Sequence, residues 1–163
     1  MIIYLKNKDT LKVDTFEFKC CIGKNGISKK KIEGDKKTPI GLFQLGDLYF
    51  RRDKNKKPFS ELKKIIIRKN MGWCNDVKNQ KYNKLIKSNR KIKHEKLFRK
   101  DYKYDLLIPI KYNFNKPKIG KGSCIFLHLT KNYKPTAGCI GLKKKDFLIM
   151  LMLLKKKTKI KIS

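Results

Sequence analysis

Short apolar runs divided by polar turns fill most of this chain, and few of them reach the length of a helix. Ile2 to Leu5 and Thr10 to Cys21 read as strands, the second alternating in part through Leu11, Val13, Phe16 and Phe18. Gly23, Asn25 and Gly26 supply turn chemistry after them. In the loop from Gly34 to Gly41, Pro39 fixes its own φ and biases Thr38 towards extended geometry, and Leu42, Phe43 and Leu45 resume a strand. Arg51 to Arg99 is crowded with Lys and Asn and shows one short strand, Ile65-Ile66-Ile67.

From Tyr104 the pattern sharpens. Tyr104 to Ile110 is a strong strand in which Pro109 lacks a donor and predicts an edge or a bulge. Further on, Cys124, Phe126 and His128 share one face of a strand and Ile125, Leu127 and Leu129 the other. Both faces are largely apolar, as in a central strand covered on both sides. Asp146 suits the first turn and Lys155 to Lys157 the last turn of a helix containing Phe147 to Leu154, and Thr158 to Ile162 alternates as a closing strand. With no internal repeat and no linker, the expectation is one domain over residues 1–163, mainly β, with one or two short packed helices.

Composition adds a strong charge to this picture. The chain has 44 Lys+Arg against 13 Asp+Glu, a formal net charge of +31. Such a field favours polyanions: nucleic acid, anionic lipid or an acidic wall polymer. The bases are nearly all Lys and spread over the whole chain, a pattern that compositional drift in an A+T-rich genome explains equally well. A non-enzymatic RNA or DNA binder is therefore one reading, although no RNP, KH or zinc-finger pattern accompanies the charge. The apolar run Met1 to Leu5 is too short for a secretory signal, and no segment has the length of a membrane span.

The five cysteines are an odd number, so at least one thiol is unpaired within the chain. Cys20, Cys21, Cys74 and Cys124 read as small packing residues, with a structural disulfide the less favoured alternative. No group has zinc spacing, and no metal or organic cofactor is implied. Cys139 differs from the rest by its surroundings. The stretch Gly120 to Leu142 carries an apolar strand ending near His128, a polar loop, and then Thr136-Ala137-Gly138-Cys139. A histidine and a cysteine on either side of one loop can meet, and an imidazole beside a thiol is what thiolate chemistry requires. Gly138, without a Cβ, lets the backbone at Gly138 and Cys139 aim N–H groups at a developing oxyanion.

This stretch resembles the catalytic segment of the L,D-transpeptidase (YkuD-like) family, a histidine followed across a loop by Ser/Thr-x-Gly-Cys. The resemblance is to the TxGC branch, with an FLH strand before the loop. Gly34-Asp35-Lys36-Lys37-Thr38-Pro39-Ile40-Gly41 is similar to the family's GDxxTPxG turn. Met71 to Asp76, His94-Glu95 and Tyr104-Asp105-Leu106 are similar to the middle region of that branch. Many members carry His before the Gly-Cys pair and Arg or Asn two positions after the cysteine, where this chain has Ala137 and Gly141.

The resemblance implies a β-sandwich or barrel in which Cys139 is the nucleophile and His128 the base. Thr136, Trp73 and His94 become substrate-binding candidates, Trp73 having core packing and His94 an ordinary exposed position as plain alternatives. The implied substrate is a peptidoglycan stem peptide, cleaved before its terminal D-alanine and passed from a thioester to an amine, or to water in an L,D-carboxypeptidase. A catalytically inactive wall-binding relative is a further alternative. A monomer in the cell envelope or periplasm is expected, held near anionic wall polymer by its charge. The short N-terminal run leaves a cytoplasmic location open.

Overall fold

The computed structural model describes residues 1–163. In chain order its strands are β1 (Ile2–Lys6), β2 (Thr10–Val13), β3 (Phe16–Cys21), β4 (Ile27–Ser28), β5 (Thr38–Pro39), β6 (Gly41–Gln44), β7 (Leu48–Phe50) and β8 (Lys64–Ile66). They continue as β9 (Met71–Cys74), β10 (Leu85–Lys87), β11 (His94–Lys96), β12 (Leu106–Pro109), β13 (Phe126–Leu129) and β14 (Ile140–Leu142). The helix α1 (Lys144–Leu153) and β15 (Lys159–Ile162) complete the chain.

Ten strands form one sheet in the order β6-β15-β1-β2-β3-β14-β13-β12-β7-β8. Because β6 leads directly into β7, near the opposite end of that order, the sheet curls round on itself. Leu45 accordingly bridges to Ile110 just beyond β12. The expected β-sandwich or barrel is therefore present, and α1 is its single helix. The run from Thr10 to Cys21 is two strands, not one: Asp14 takes a left-handed φ of 55° and the chain doubles back with Val13 opposite Phe16.

Pro109 lies in a central strand and satisfies its missing donor with a bulge. Leu107 pairs with Tyr49 and Ile110 with Leu45, so four residue steps on one strand oppose three on the other. The Pro109 carbonyl still accepts from the Gly46 N–H at 2.7 Å.

The two faces of the central strands bury different cores, as strand alternation dictates. Ile125, Leu127 and Leu129, with Leu106, Ile108, Leu48 and Phe50, join the larger core under α1 and β15. Phe126, Leu107 and Tyr49 point the other way, into a smaller cluster with Trp73, Leu97, Tyr104 and Cys139. That second cluster is roofed by the three-stranded sheet β10-β9-β11, none of whose strands is predicted by the Lys/Asn-rich sequence.

Helix α1 buries Phe147, Met150 and Leu151, an i, i+3, i+4 stripe, and carries Asp146 in its first turn. Lys155 to Lys157 fall after the helix rather than in its last turn, because Leu154 already has an extended backbone. No helix is long and apolar enough to cross a membrane.

Candidate active site

The register of three strands sets the position of the two predicted catalytic side chains. His128 on β13 pairs with Leu107 on β12 and, across a parallel ladder, with Gly141 on β14. Extending that ladder places Cys139 opposite Phe126, on the face that also carries His128. Both residues line one cavity of about 610 Å³, with Thr136, Ala137, Tyr104, Cys124, Glu33 and Glu95 among its walls.

Each side chain is held in a defined resting state. The Cys139 thiol donates to the Cys124 carbonyl at 3.1 Å, and its sulfur accepts the Phe126 N–H at 3.3 Å. Complete burial pushes the thiol up to about 12, the Phe126 N–H acting the other way. His128 Nδ1 lies 2.9 Å from the Leu129 carbonyl, which has only lone pairs to offer, so Nδ1 carries the proton and Nε2 is left as a base. Burial lowers this imidazole to about 4, with Lys103 and Arg99 acting in the same direction. No hydrogen bond joins thiol and imidazole in this state.

The glycine before the cysteine is required by a close approach. Gly138 has a φ of +134°, and a Cβ there would lie 2.8 Å from the Lys37 carbonyl oxygen. Gly23, on the same contact, would place a Cβ 2.5 Å from the Lys36 oxygen. The turn from Gly34 to Gly41 is thus pressed against the loop that bears Cys139. Its buried Thr38 hydroxyl accepts the Gly23 N–H and donates to the Gly138 carbonyl, each at 2.9 Å. Lys31, itself buried, is paired with Asp35 and donates to the Lys37 carbonyl at 2.7 Å, closing the turn from the other side. Lys31 also acts electrostatically to lower the Cys139 thiol.

Thr136 serves the same loop. Its hydroxyl donates to the Cys139 carbonyl at 2.6 Å and accepts the Gly138 N–H at 3.1 Å. The Gly138 amide is therefore engaged, contrary to its expected place in an oxyanion site, whereas the Cys139 amide has no acceptor within the chain.

Two of the substrate-binding candidates stand back from the cavity. Trp73 is 2% exposed, packs edge-on against Tyr49 and Phe126, and donates Nε1–H to Asn83 Oδ1 at 3.0 Å. That same Asn83 oxygen accepts the Cys124 N–H at 3.1 Å, so Trp73 supports the cavity wall from behind. His94 is turned to Ser88 Oγ at 2.8 Å and the Ile92 carbonyl at 2.6 Å, over Gly72. Alternation along β11 sends its neighbour Glu95 into the cavity instead.

Sequence reasoning passed over Glu33, Glu95, Arg99 and Tyr104 as site residues and gave Thr38 no role. The only signal for Glu95 was its adjacency to His94 in the motif. Cys124, read as packing, lines the cavity and offers its carbonyl to Cys139. All five cysteines are free, and no group of His, Cys, Asp and Glu is placed to hold a metal ion.

The family model described as the YkuD L,D-transpeptidase catalytic domain matches residues 1–162. The chain belongs to this family. Two solved structures of the helical cell shape determining protein Pgp2 from Campylobacter jejuni, one of them a lysine-to-alanine mutant, share its fold with a TM-score of 0.51 at 19% identity. The match covers 99% of this chain and 46% of theirs, so the chain spans about half the length of those proteins. No curated protein matches it in sequence.

Within the L,D-transpeptidase family this chain's departures now have a physical setting. A Cβ on Gly141 would lie 2.8 Å from Cys21 Sγ and 3.2 Å from Thr130 Cβ, so the space a longer side chain needs is occupied. Ala137 lines the cavity and leaves its mouth wider than a histidine would.

Proposed function

We propose that this protein is a cysteine acyltransferase of the cell envelope that acts on peptidoglycan stem peptides as an L,D-transpeptidase. The observation that carries the reading is the shared cavity of Cys139 and His128, with Nδ1 of the histidine tied to a carbonyl and Nε2 free. Cys139 Sγ attacks the carbonyl of the third, L-centre residue while its proton passes to His128 Nε2. The tetrahedral oxyanion faces the free Cys139 N–H. Its collapse breaks the peptide bond, and the D-alanine amine leaves with the proton from Nε2. An incoming amine then attacks the thioester and gives a proton to His128, the C–S bond breaks, and the proton passes from Nε2 to the departing Cys139 sulfur. Water in place of the amine gives the L,D-carboxypeptidase reaction through the same thioester.

The resting charges bear on the timing of proton transfer. Burial raises the thiol to about 12 and lowers the imidazole to about 4, so the resting pair is a neutral thiol and a neutral imidazole, and Nε2 is free to take the thiol proton during attack.

The test is intact mass spectrometry after incubation with a stem tetrapeptide or a carbapenem, beside Cys139→Ala. The expected result is a covalent adduct on the wild type and none on the variant. A folded, reduced wild-type protein that forms no adduct refutes the reading. Product analysis with an added amine acceptor separates transfer from hydrolysis.

A further inference from the structure

Helix α1 lacks the polar outer face usual for a helix at the surface of a water-soluble domain. From Phe147 to Leu154 the sequence runs through eight apolar residues without a polar one, after Lys143-Lys144-Lys145-Asp146 and before Lys155-Lys156-Lys157. Phe147, Met150, Leu151 and Leu154 belong to the larger core. Outward the helix presents Leu148 and Met152, 37% and 60% exposed, with Ile149 and Leu153 half-buried at their sides. Leu148 and Met152 are four residues apart and lie one above the other on a single face.

Both ends of this face are cationic. Lys144 and Lys145 precede Leu148 by four and three residues, on the same side, and all six lysines of the two triplets are exposed. Of the six only Lys155 forms an ion pair, with Glu61 at 2.8 Å. The first triplet stands at the positive end of the helix dipole, where Lys143 supplies no side-chain cap. Cations gathered at a positive helix end are relieved by anions from outside the chain. The helix has 10 residues, about 15 Å, too short to cross a bilayer and long enough to lie on one.

We propose that α1 docks this protein peripherally on an anionic lipid bilayer. Leu148 and Met152 enter the boundary between headgroups and acyl chains, and the lysine triplets meet lipid phosphates at either end. Charge and polarity match together in this partner. A second copy of the chain is a poor occupant, because parallel or antiparallel packing of the two faces sets triplet against triplet. RNA would satisfy the lysines, but the aliphatic side chains offer no ring on which bases stack. The inner face of α1 stays in the core, so docking needs no refolding. Lys143, Lys144 and Lys145 also line a hollow with Tyr102, Leu129 and Thr130, and those last three line the catalytic cavity as well. Docking through α1 therefore holds the cavity mouth beside the bilayer, whatever chemistry the cavity performs.

The experiment is flotation of the full chain with vesicles of phosphatidylcholine alone, or of phosphatidylcholine and phosphatidylglycerol in equal parts, at low and high salt. Binding is expected to the anionic vesicles only and weakens with salt. Leu148→Ser combined with Met152→Ser should weaken it about tenfold or more at unchanged net charge. Lys144→Gln, Lys145→Gln, Lys156→Gln and Lys157→Gln together should do the same, whereas the same change at Lys84, Lys87, Lys91 and Lys96 should alter binding less than about threefold. The second set lies on or beside β10 and β11, across the central strands from α1, so the two sets lower the net charge equally and differ only in place. All these side chains are exposed, and each variant is expected to melt as the wild type does. No binding to anionic vesicles, equal loss with both lysine sets, or full binding by the serine variant overturns the proposal. A dimer that the serine variant abolishes, without vesicle binding, assigns the face to a second copy and overturns it as well. Cys139→Ala should float like the wild type, so failure of the thioester reading leaves this result standing.

Discussion

Replacing Thr38 by valine removes one oxygen, keeps the side-chain volume and leaves two buried backbone groups without partners. The hydroxyl is fully buried, accepting from Gly23 and donating to Gly138, which precedes the candidate nucleophile. An orphaned buried amide or carbonyl costs about 1–3 kcal/mol, so two of them cost about 2–6 kcal/mol together. For a domain of this size that corresponds to a fall of about 4–24 °C in Tm. The same change frees the Gly138–Cys139 peptide from its anchor, so acylation of Cys139 slows even well below the new Tm. Thr38→Ser retains both bonds and should lose less than half as much stability while keeping the acylation rate. The assays are thermal unfolding by circular dichroism and the rate of adduct formation by mass spectrometry at 20 °C. Thr38→Val matching the wild type in both would show that the turn does not position the loop.

Two further outcomes follow from the buried side chains. His128 has a folded pKa of about 4 against an ordinary 6.5, so between these values the unfolded chain binds the extra proton. Its contribution is complete above pH 6.5 and falls away as pH drops towards 4, amounting to about 3 kcal/mol. Urea unfolding at several pH values should show this acid loss in the wild type and not in His128→Gln; parallel curves would refute it. Trp73→Ala should lower stability by about 3–5 kcal/mol, through the lost ring contacts and the loss of one of the two donors to the Asn83 oxygen. In protein that remains folded, the KM for a stem peptide should change little, whereas a large rise in KM with unchanged stability would restore Trp73 to the substrate surface.

Much of the site was legible because its parts are local. The Thr136 to Cys139 run, the histidine before the loop and the turn around Thr38 are contiguous motifs whose spacing survives folding. His94 shows the limit of such reading. It and Glu95 are adjacent in the motif, and only the pairing of β11 with β9 decides which one faces the cavity. Trp73 shows another, since a lone tryptophan suits a groove wall or a core equally until its Nε1 partner is known.

By itself the sequence determined the strand-rich character of the chain, the apolar two-faced strand ending at His128, the mostly buried helix after Cys139 and the candidates for a nucleophile and its base. Those follow from periodicity and from residue chemistry, which are properties of short segments. The tertiary structure alone decided that Gly141 has no room for a side chain, that the Gly138 amide is occupied while the Cys139 amide is free, and that Glu33 comes to the same cavity as His128. Each of these depends on contacts between residues far apart in the chain, such as Thr38 with Gly138 and Glu33 with Ser123. No local pattern encodes them, because they exist only once the curled sheet has brought its strands together.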